Sequence, residues 1–465
     1  MSEKSDLPSF NVAIARGNNT NEALREGIDN LGGIINFIQE KDIVFIKISL
    51  KNPFGYPTNS NLETLGALID LSKKAGAREV FVGDFPADHI KSEKIIETTG
   101  LLNFLESKGA RFAYLDNEEL FPRKEITIND RLVKIPALIL NADKFIILNQ
   151  VNVDPTFIIT FSYLNLYSII PNINQKIQRL ERPGKDYLSL DQYKQDLISN
   201  ILSVSSIRSP NLVINDLFFL LERAGPLIYK DSRSKKTNLL VIGDNLFAVD
   251  YTTLKIMNID ISKSELLLGA QNHQSGILNL DRIKPIGENP TDIKIKIQMC
   301  VSKLEDINVK NCFLYSGRYC SGCYNKVYHI LNFLKTTMTK DLKYMGYFNF
   351  LIGENPPEPE DNNDIIIYGD CAIQSTSDRN FRKVVLQKKP NPLKALIRKI
   401  KKKSAKSLNS SDTKIVKNKN ILEIPGCPPD FLEFYRSLFK YYGKGVLPNL
   451  TFFQLISNIF IDKND

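Results

Sequence analysis

The stretch "NLETLGALIDLSKKAGAREVFVGD", residues 61–84, decides the fold. Its first seventeen residues place apolar side chains at helical spacing and stop after Gly76, which predicts an amphipathic helix. "EVFVGD" then reads as a strand, and "IVFIKI" at 43–48 reads as a β segment upstream. The unit is therefore strand, helix, strand. Further out the alternation continues. Residues 10–16, "RFAYLD" (111–116), "KFIILNQ" (144–150), "NLVINDLF" (211–218) and "NLLVIGD" (238–244) read as strands. "SEKIIETTGLLNFLESKGA" (92–110), "LDQYKQDLISNILSVSSI" (190–207) and "FAVDYTTLKIMNID" (247–260) read as helices. Such alternation with short links predicts an α/β fold, a largely parallel sheet flanked by helices.

A second, smaller α/β domain is expected from residue 308. It contains strands "VKNCFLY", "FNFLIGE", "DIIIYGDC" and "NILEIPGC", with helices at 324–336 and in "PPDFLEFYRSLFKYYG". The expected division is 1–260, a connector at 261–307, and 308–465. A length of 465 residues fits two or three domains. The net charge of +9 is concentrated, because residues 382–420 hold fourteen Lys or Arg and one Asp. The rest of the chain is net acidic. This insert has the composition of a mobile, solvated loop, and an anionic partner is its functional reading. No aromatic residue follows Phe381 in it, so a nucleic-acid stacking platform is not expected. No apolar run reaches the roughly 18 residues that span a bilayer, and the start of the chain is polar and broken. The expected compartment is the cytoplasm, where a C-x-x-C serves a metal or catalysis rather than a structural disulfide.

Six cysteines are present. Cys300 and Cys312 read as buried apolar fillers. Cys320, Cys323, Cys371 and Cys427 share another setting, just past the carboxyl ends of strands and each in a turn containing Gly317, Gly369 or Gly426. That edge is where open α/β sheets bind ligands. A thioredoxin-like pair would use only Cys320 and Cys323 and leave two cysteines unexplained. Structural zinc would use all four, although it usually joins two knuckles. One C-x-x-C with two distant single cysteines suits a four-iron, four-sulfur cluster. Asp84, Asp216 and Asp244 each end an apolar strand and could face the same edge, holding a divalent cation or a general base, or serving only as caps and turns. Lys47, embedded in "IVFIKI", is expected to pair with one of them in a shared cleft. His89, His273 and His329 show no ligand spacing, and no G-x-S-x-G, P-loop or H-E-x-x-H occurs.

The ordered set "VFIKISL", "LIDLSKKAGAREVFVGDFP" with "TTGL", "NADKFIILNQVNVD", "TFSYLNLYSIIP", "INDLFFLLERAGP" and "VIGDNLFAVDYTTLKIMNID" resembles the DUF362 family, over most of residues 10–260. Lys47, Asp84, Asp216, Glu222, Gly225, Asp244 and Asp250 match that family's pattern. Where members carry basic residues and a His, this chain has Gln150, Asn152 and Asp154, then Leu164 and Asn165. The resemblance implies that a family anion site is lost or altered here. The tail with "CSGC", "GDC" and "GCPP" resembles cysteine-bearing portions attached to some members and implies a 4Fe-4S site. The expected function is a redox-type iron–sulfur protein with an unknown electron partner or small-molecule substrate. Two other readings stand beside it: a non-redox enzyme whose cluster acts as a Lewis acid, which four cysteine ligands argue against, and a structural metal site, zinc or cluster, with a small-molecule or protein binding cleft.

Overall fold

Strands buried along nearly their whole length need cover on both faces, and the runs at 43–47, 144–150, 212–216 and 239–243 form the middle of the main sheet. The computed structural model describes residues 9–50, 52–86, 90–129, 131–171, 190–273, 280–382, 420–429, 431–443 and 447–451. The chain divides into two units: Met1–Ile307 with Leu331–Met338 and Pro448–Asp465, and Asn308–Ile330 with Thr339–Leu447. The basic insert falls almost wholly outside the described residues, as does His89.

The strands of the first unit are β1 (Phe10–Arg16), β2 (Ile43–Lys47), β3 (Glu79–Gly83), β4 (Arg111–Phe112), the hairpin β5–β6 (Arg123–Ile128, Arg131–Pro136), β7 (Lys144–Gln150), the ribbon β8–β9 (Val153–Asp154, Ile158–Ile159), β10 (Leu212–Asp216), the hairpin β11–β12 (Phe219–Glu222, Arg233–Lys236), β13 (Leu239–Gly243) and β14 (Ile283–Gly287). Eight of them form one sheet in the order β14-β1-β13-β10-β7-β2-β3-β4. Side chains alternate between its two faces. Phe45, Phe145, Ile147, Val213 and Val241 pack on one side with the helices Ser162–Tyr167, Leu190–Ile207 and Leu246–Ile256. Val44, Ile46, Ile146, Leu148, Ile214 and Ile242 pack on the other with Thr20–Asn30 and Leu62–Lys74. The second of these helices begins at Asn61, whose side chain accepts from Glu63 N–H, and ends before Gly76 at φ +90°.

Two features depart from the sequence reading. Strand β13 runs antiparallel to both β1 and β10. No helix separates β10 from β13, only the hairpin β11–β12, and a parallel neighbour would need a long crossover. Residues expected to form a connector instead supply the edge strand β14, parallel to β1.

The second unit holds β15 (Cys312–Ser316), β16 (Phe348–Ile352), β17 (Asp364–Tyr368) and β18 (Ile421–Ile424), parallel throughout and adjacent in chain order. Leu351, Ile365, Ile367, Ala372 and Phe381 form a core on one face. Phe350, Tyr368 and Phe434 meet in tilted and edge-on ring contacts, their centroids 5.8–6.5 Å apart. Among the described residues, no helix is long and apolar enough to cross a membrane.

Candidate functional site

In the second unit, parallel strands send every strand-to-helix turn to one edge, and three of these turns carry the cysteines. After β15, Gly317 lies so close to the Glu354 carbonyl that an added Cβ would stand 2.1 Å from its oxygen. Arg318 and Glu354 exchange backbone hydrogen bonds of 2.9 and 2.8 Å and an ion pair at 2.5 Å, which ties the turn after β15 to the turn after β16. Cys320 follows, immediately before the helix Ser321–Thr336 that contains Cys323. After β17, Gly369 at φ +95° leads into the short helix Asp370–Ser375 with Cys371 as its second residue. After β18, Gly426 at φ +129° precedes Cys427. The last two turns are locked together: Asp370 N–H donates to the Gly426 carbonyl at 3.0 Å, and Gly426 N–H donates to Asp370 Oδ1 at 2.8 Å.

The thiols interact in pairs, Cys320 with Cys323 and Cys371 with Cys427. The two pairs are neighbours, since the Cys323 sulfur lies 3.8 Å from the position a Cβ on Gly369 would take, and Cys323 feels the charge of both Cys371 and Cys427. Pro428, next to Cys427, stands 3.2 Å from the corresponding position on Gly322. The Cys323 side chain and the backbone N–H groups of Cys323 and Gly322 donate to Cys320 and draw its thiol down to about 6, whereas the same bond and burial push Cys323 up. Cys427 is exposed, Cys320 and Cys371 are half-buried, and Cys323 is buried. All six cysteines are free thiols. Among the described residues, no group of three or more His, Cys, Asp or Glu side chains is placed so that it could hold a metal ion. Cys312 is raised by burial and Cys300 lies 4.0 Å from the Gly225 carbonyl; both belong to other parts of the fold. Burial likewise holds the His329 imidazole down to about 4.

In the first unit, the residues expected at one cleft have separate surroundings. Lys47 and Asp84 form an ion pair at 2.5 Å with neither side chain exposed to solvent. The Lys47 ammonium also donates to the Ile48 carbonyl, to Asn165 Oδ1 at 3.1 Å and to Ser168 Oγ at 2.8 Å. Asp84 accepts from the N–H groups of Leu50 and Phe85, both at 2.7 Å. The pair is a sealed structural element. Asp216, on the same sheet edge, has no ammonium partner among the described residues; it accepts from Thr64 Oγ1 at 2.7 Å and Phe218 N–H at 2.9 Å, and burial pushes its carboxyl up to about 6. Asp244 is a correction. Because β13 is antiparallel, it follows the strand at the opposite edge, beyond the pairing of Gly243 with Val213, and is exposed. Glu222 accepts from the N–H of Gln298 at 3.2 Å and pins that segment.

The residues standing where the resemblance expects bases are also committed to the backbone. Gln150 Nε2 donates to the Phe219 carbonyl at 2.8 Å. Asn152 donates to the Pro57 carbonyl at 2.6 Å and accepts from Leu221 N–H at 2.7 Å. Asp154 caps the N–H groups of Thr156 and Phe157, and Leu164 packs against the main core. Asn165 joins a chain that the sequence did not reveal. Lys47 donates to Asn165, Asn165 to Asn149 at 3.4 Å, Asn149 to Asn215 at 2.9 Å, and Asn215 to Asp250 at 2.8 Å. Every donor points the same way, from a cation toward a carboxylate. Asp250 ends the chain and also accepts from the N–H groups of Ser162 and Tyr163, while burial raises its carboxyl to about 6. The available signal was an Asn as the penultimate residue in two apolar strands, "FIILNQ" and "LVIND".

A family model described as Domain of unknown function (DUF362) matches residues 44–255. No curated protein matches the chain. The matched span runs from β2 through the helix Leu246–Ile256, and so covers Lys47, Asp84, Asn149, Asn165, Asn215, Asp216 and Asp250, but none of the four clustered cysteines.

Proposed function

We propose that this chain is an iron–sulfur protein of redox type, whose second unit holds a 4Fe-4S cluster on Cys320, Cys323, Cys371 and Cys427. The observation that carries this reading is the placement of four free thiols in the turns after β15, β17 and β18, at one edge of a parallel sheet. The surroundings fit such a group. Gly317, Gly369 and Gly426 allow the backbone to approach closely, and the reciprocal bonds between Asp370 and Gly426 hold two ligand turns at a fixed spacing. The amide-supported Cys320 favours the thiolate that metal binding requires. When bound, the cluster supplies one-electron transfer. The residues of this chain fix the thiols, and exposed Cys427 leaves one side open to an electron partner.

The first unit supports no metal role for its strand-end carboxylates in this reading. Lys47 already neutralises Asp84, and Asp244 lies on the other edge.

Anaerobic purification, an absorption spectrum, and iron and sulfide analysis test the proposal. About four iron and four sulfide per chain are expected. Cys371→Ser and Cys427→Ser should each lower both contents sharply. One zinc per chain without sulfide, or iron content unchanged in both variants, overturns it.

A further inference from the structure

Outside the insert at 382–420 the chain is net acidic, yet one part of the first unit gathers cations. The hairpin β11–β12 stands apart from the main sheet as a two-stranded ribbon, and its outer strand reads Arg233, Ser234, Lys235, Lys236. The segment "IKIKIQ" (293–298) runs beside it. Arg223 N–H donates to the Gln298 carbonyl at 2.6 Å, Gln298 N–H donates to Glu222 at 3.2 Å, and the Lys235 ammonium donates to the Lys296 carbonyl. Ile293 and Ile295 turn into the main core, which leaves Lys294 and Lys296 exposed. Among the described residues, no ion pair neutralises Arg223, Lys230, Arg233, Lys235, Lys294 or Lys296. Two of the three acids in these segments are spent elsewhere: Asp231 pairs with Lys335 at 2.5 Å, and buried Glu222 holds the Gln298 amide. The third, Asp292, is exposed.

The tip of this basic ribbon is apolar. Ile228, Met299 and Val301 are 46%, 38% and 41% exposed. The Cys300 sulfur lies 4.0 Å from the Gly225 carbonyl, so residues 299–301 flank the turn that carries Ile228. Exposed apolar side chains cost free energy in water and mark a surface that is covered in use. Nucleic acid would meet the cations but offers no apolar phase for Ile228, and its stacking platforms are aromatic. An anionic bilayer offers both halves, headgroup charge outside and acyl chains beneath. We infer that the hairpin β11–β12 and residues 293–301 form a docking surface for an anionic lipid bilayer. Ile228, Met299 and Val301 enter the acyl boundary, and the unpaired cations meet the headgroups. The surface belongs to the first unit and does not rest on the cluster reading.

The test mixes the full chain with vesicles of phosphatidylcholine and phosphatidylserine, and separately with vesicles of phosphatidylcholine alone, and measures co-sedimentation. Binding to the mixed vesicles that weakens with salt is expected, with none to the neutral ones. Lys294→Gln with Lys296→Gln should lower partitioning roughly 20-fold and flatten its salt dependence. Ile228→Ser with Val301→Ser should lower partitioning and leave the salt dependence as it was. The chain has no tryptophan, so Ile228→Trp supplies a single reporter whose emission should shift to the blue on the mixed vesicles. Absence of binding, or Ile228→Trp emission that stays put on bound protein, overturns the proposal. So does binding that both double variants leave unchanged, which would belong to another part of the chain such as the basic insert. Duplex DNA or polyglutamate held in preference to the mixed vesicles would assign the ribbon to a nucleic-acid or acidic-protein partner instead, and overturns it too.

Discussion

Lys47 shows what one residue can and cannot announce. A lysine inside "IVFIKI" must find a partner, since an unpaired buried ammonium is costly, and Asp84 is that partner at 2.5 Å. Removing one member strands the other. Lys47→Met should destabilise the protein by about 3–5 kcal/mol, while Lys47→Met with Asp84→Leu should recover much of the loss. Denaturant titration of the three proteins checks this; a single variant within 1 kcal/mol of the parent would mean that the pair is not holding the fold together. Asp216 and Asp250 make a prediction in pH. Their carboxyls stand near 6 in the folded protein against an ordinary 3.8, so the folded state holds the protons more tightly than the unfolded chain. Their contribution is fully present below about pH 4 and is lost as pH rises through about 6. Asp216→Asn should therefore gain on the parent between pH 4.5 and 7.5, by on the order of 2 kcal/mol. Unfolding curves at both pH values are the measurement, and a constant difference would show that Asp216 titrates normally.

At the scale of elements, strand direction decides which residues share an edge. β13 reverses because only a hairpin separates it from β10. Exposed Asp244 is then a turn residue, and Asp244→Asn should change stability by no more than about 0.5 kcal/mol. A loss comparable to that from Lys47→Met would contradict this placement. The turns of the second sheet behave differently, because they are clamped. Gly317→Ala would put a Cβ 2.1 Å from the Glu354 carbonyl oxygen, forcing apart the turns after β15 and β16. A destabilisation of about 1–3 kcal/mol is expected, with lower iron uptake at the cysteines. Thermal unfolding together with iron analysis reads both; full stability and full uptake would show that the clamp does not position Cys320.

Across the whole molecule, each sheet has its own core and its own polar fittings. Substitutions are expected to act on the sheet that contains them. Amide hydrogen exchange should show Lys47→Met lowering protection in β2, β3 and β7, and Gly317→Ala lowering it in β15 and β16. The reverse pattern would show that the two sheets do not respond separately. The amphipathic helix at 62–74 and the placement of four cysteines after strand ends follow from local signals, periodicity and glycines in turns. The sequence by itself determined the α/β class, the largely parallel main sheet and a second, smaller α/β unit. Tertiary structure alone decided that β13 is antiparallel, that β14 completes the main sheet, that Asp244 leaves the shared edge, and that Asn149, Asn165 and Asn215 join Lys47 to Asp250. An apolar run reads the same in either strand direction, and a buried amide is identified only by the groups the fold sets against it.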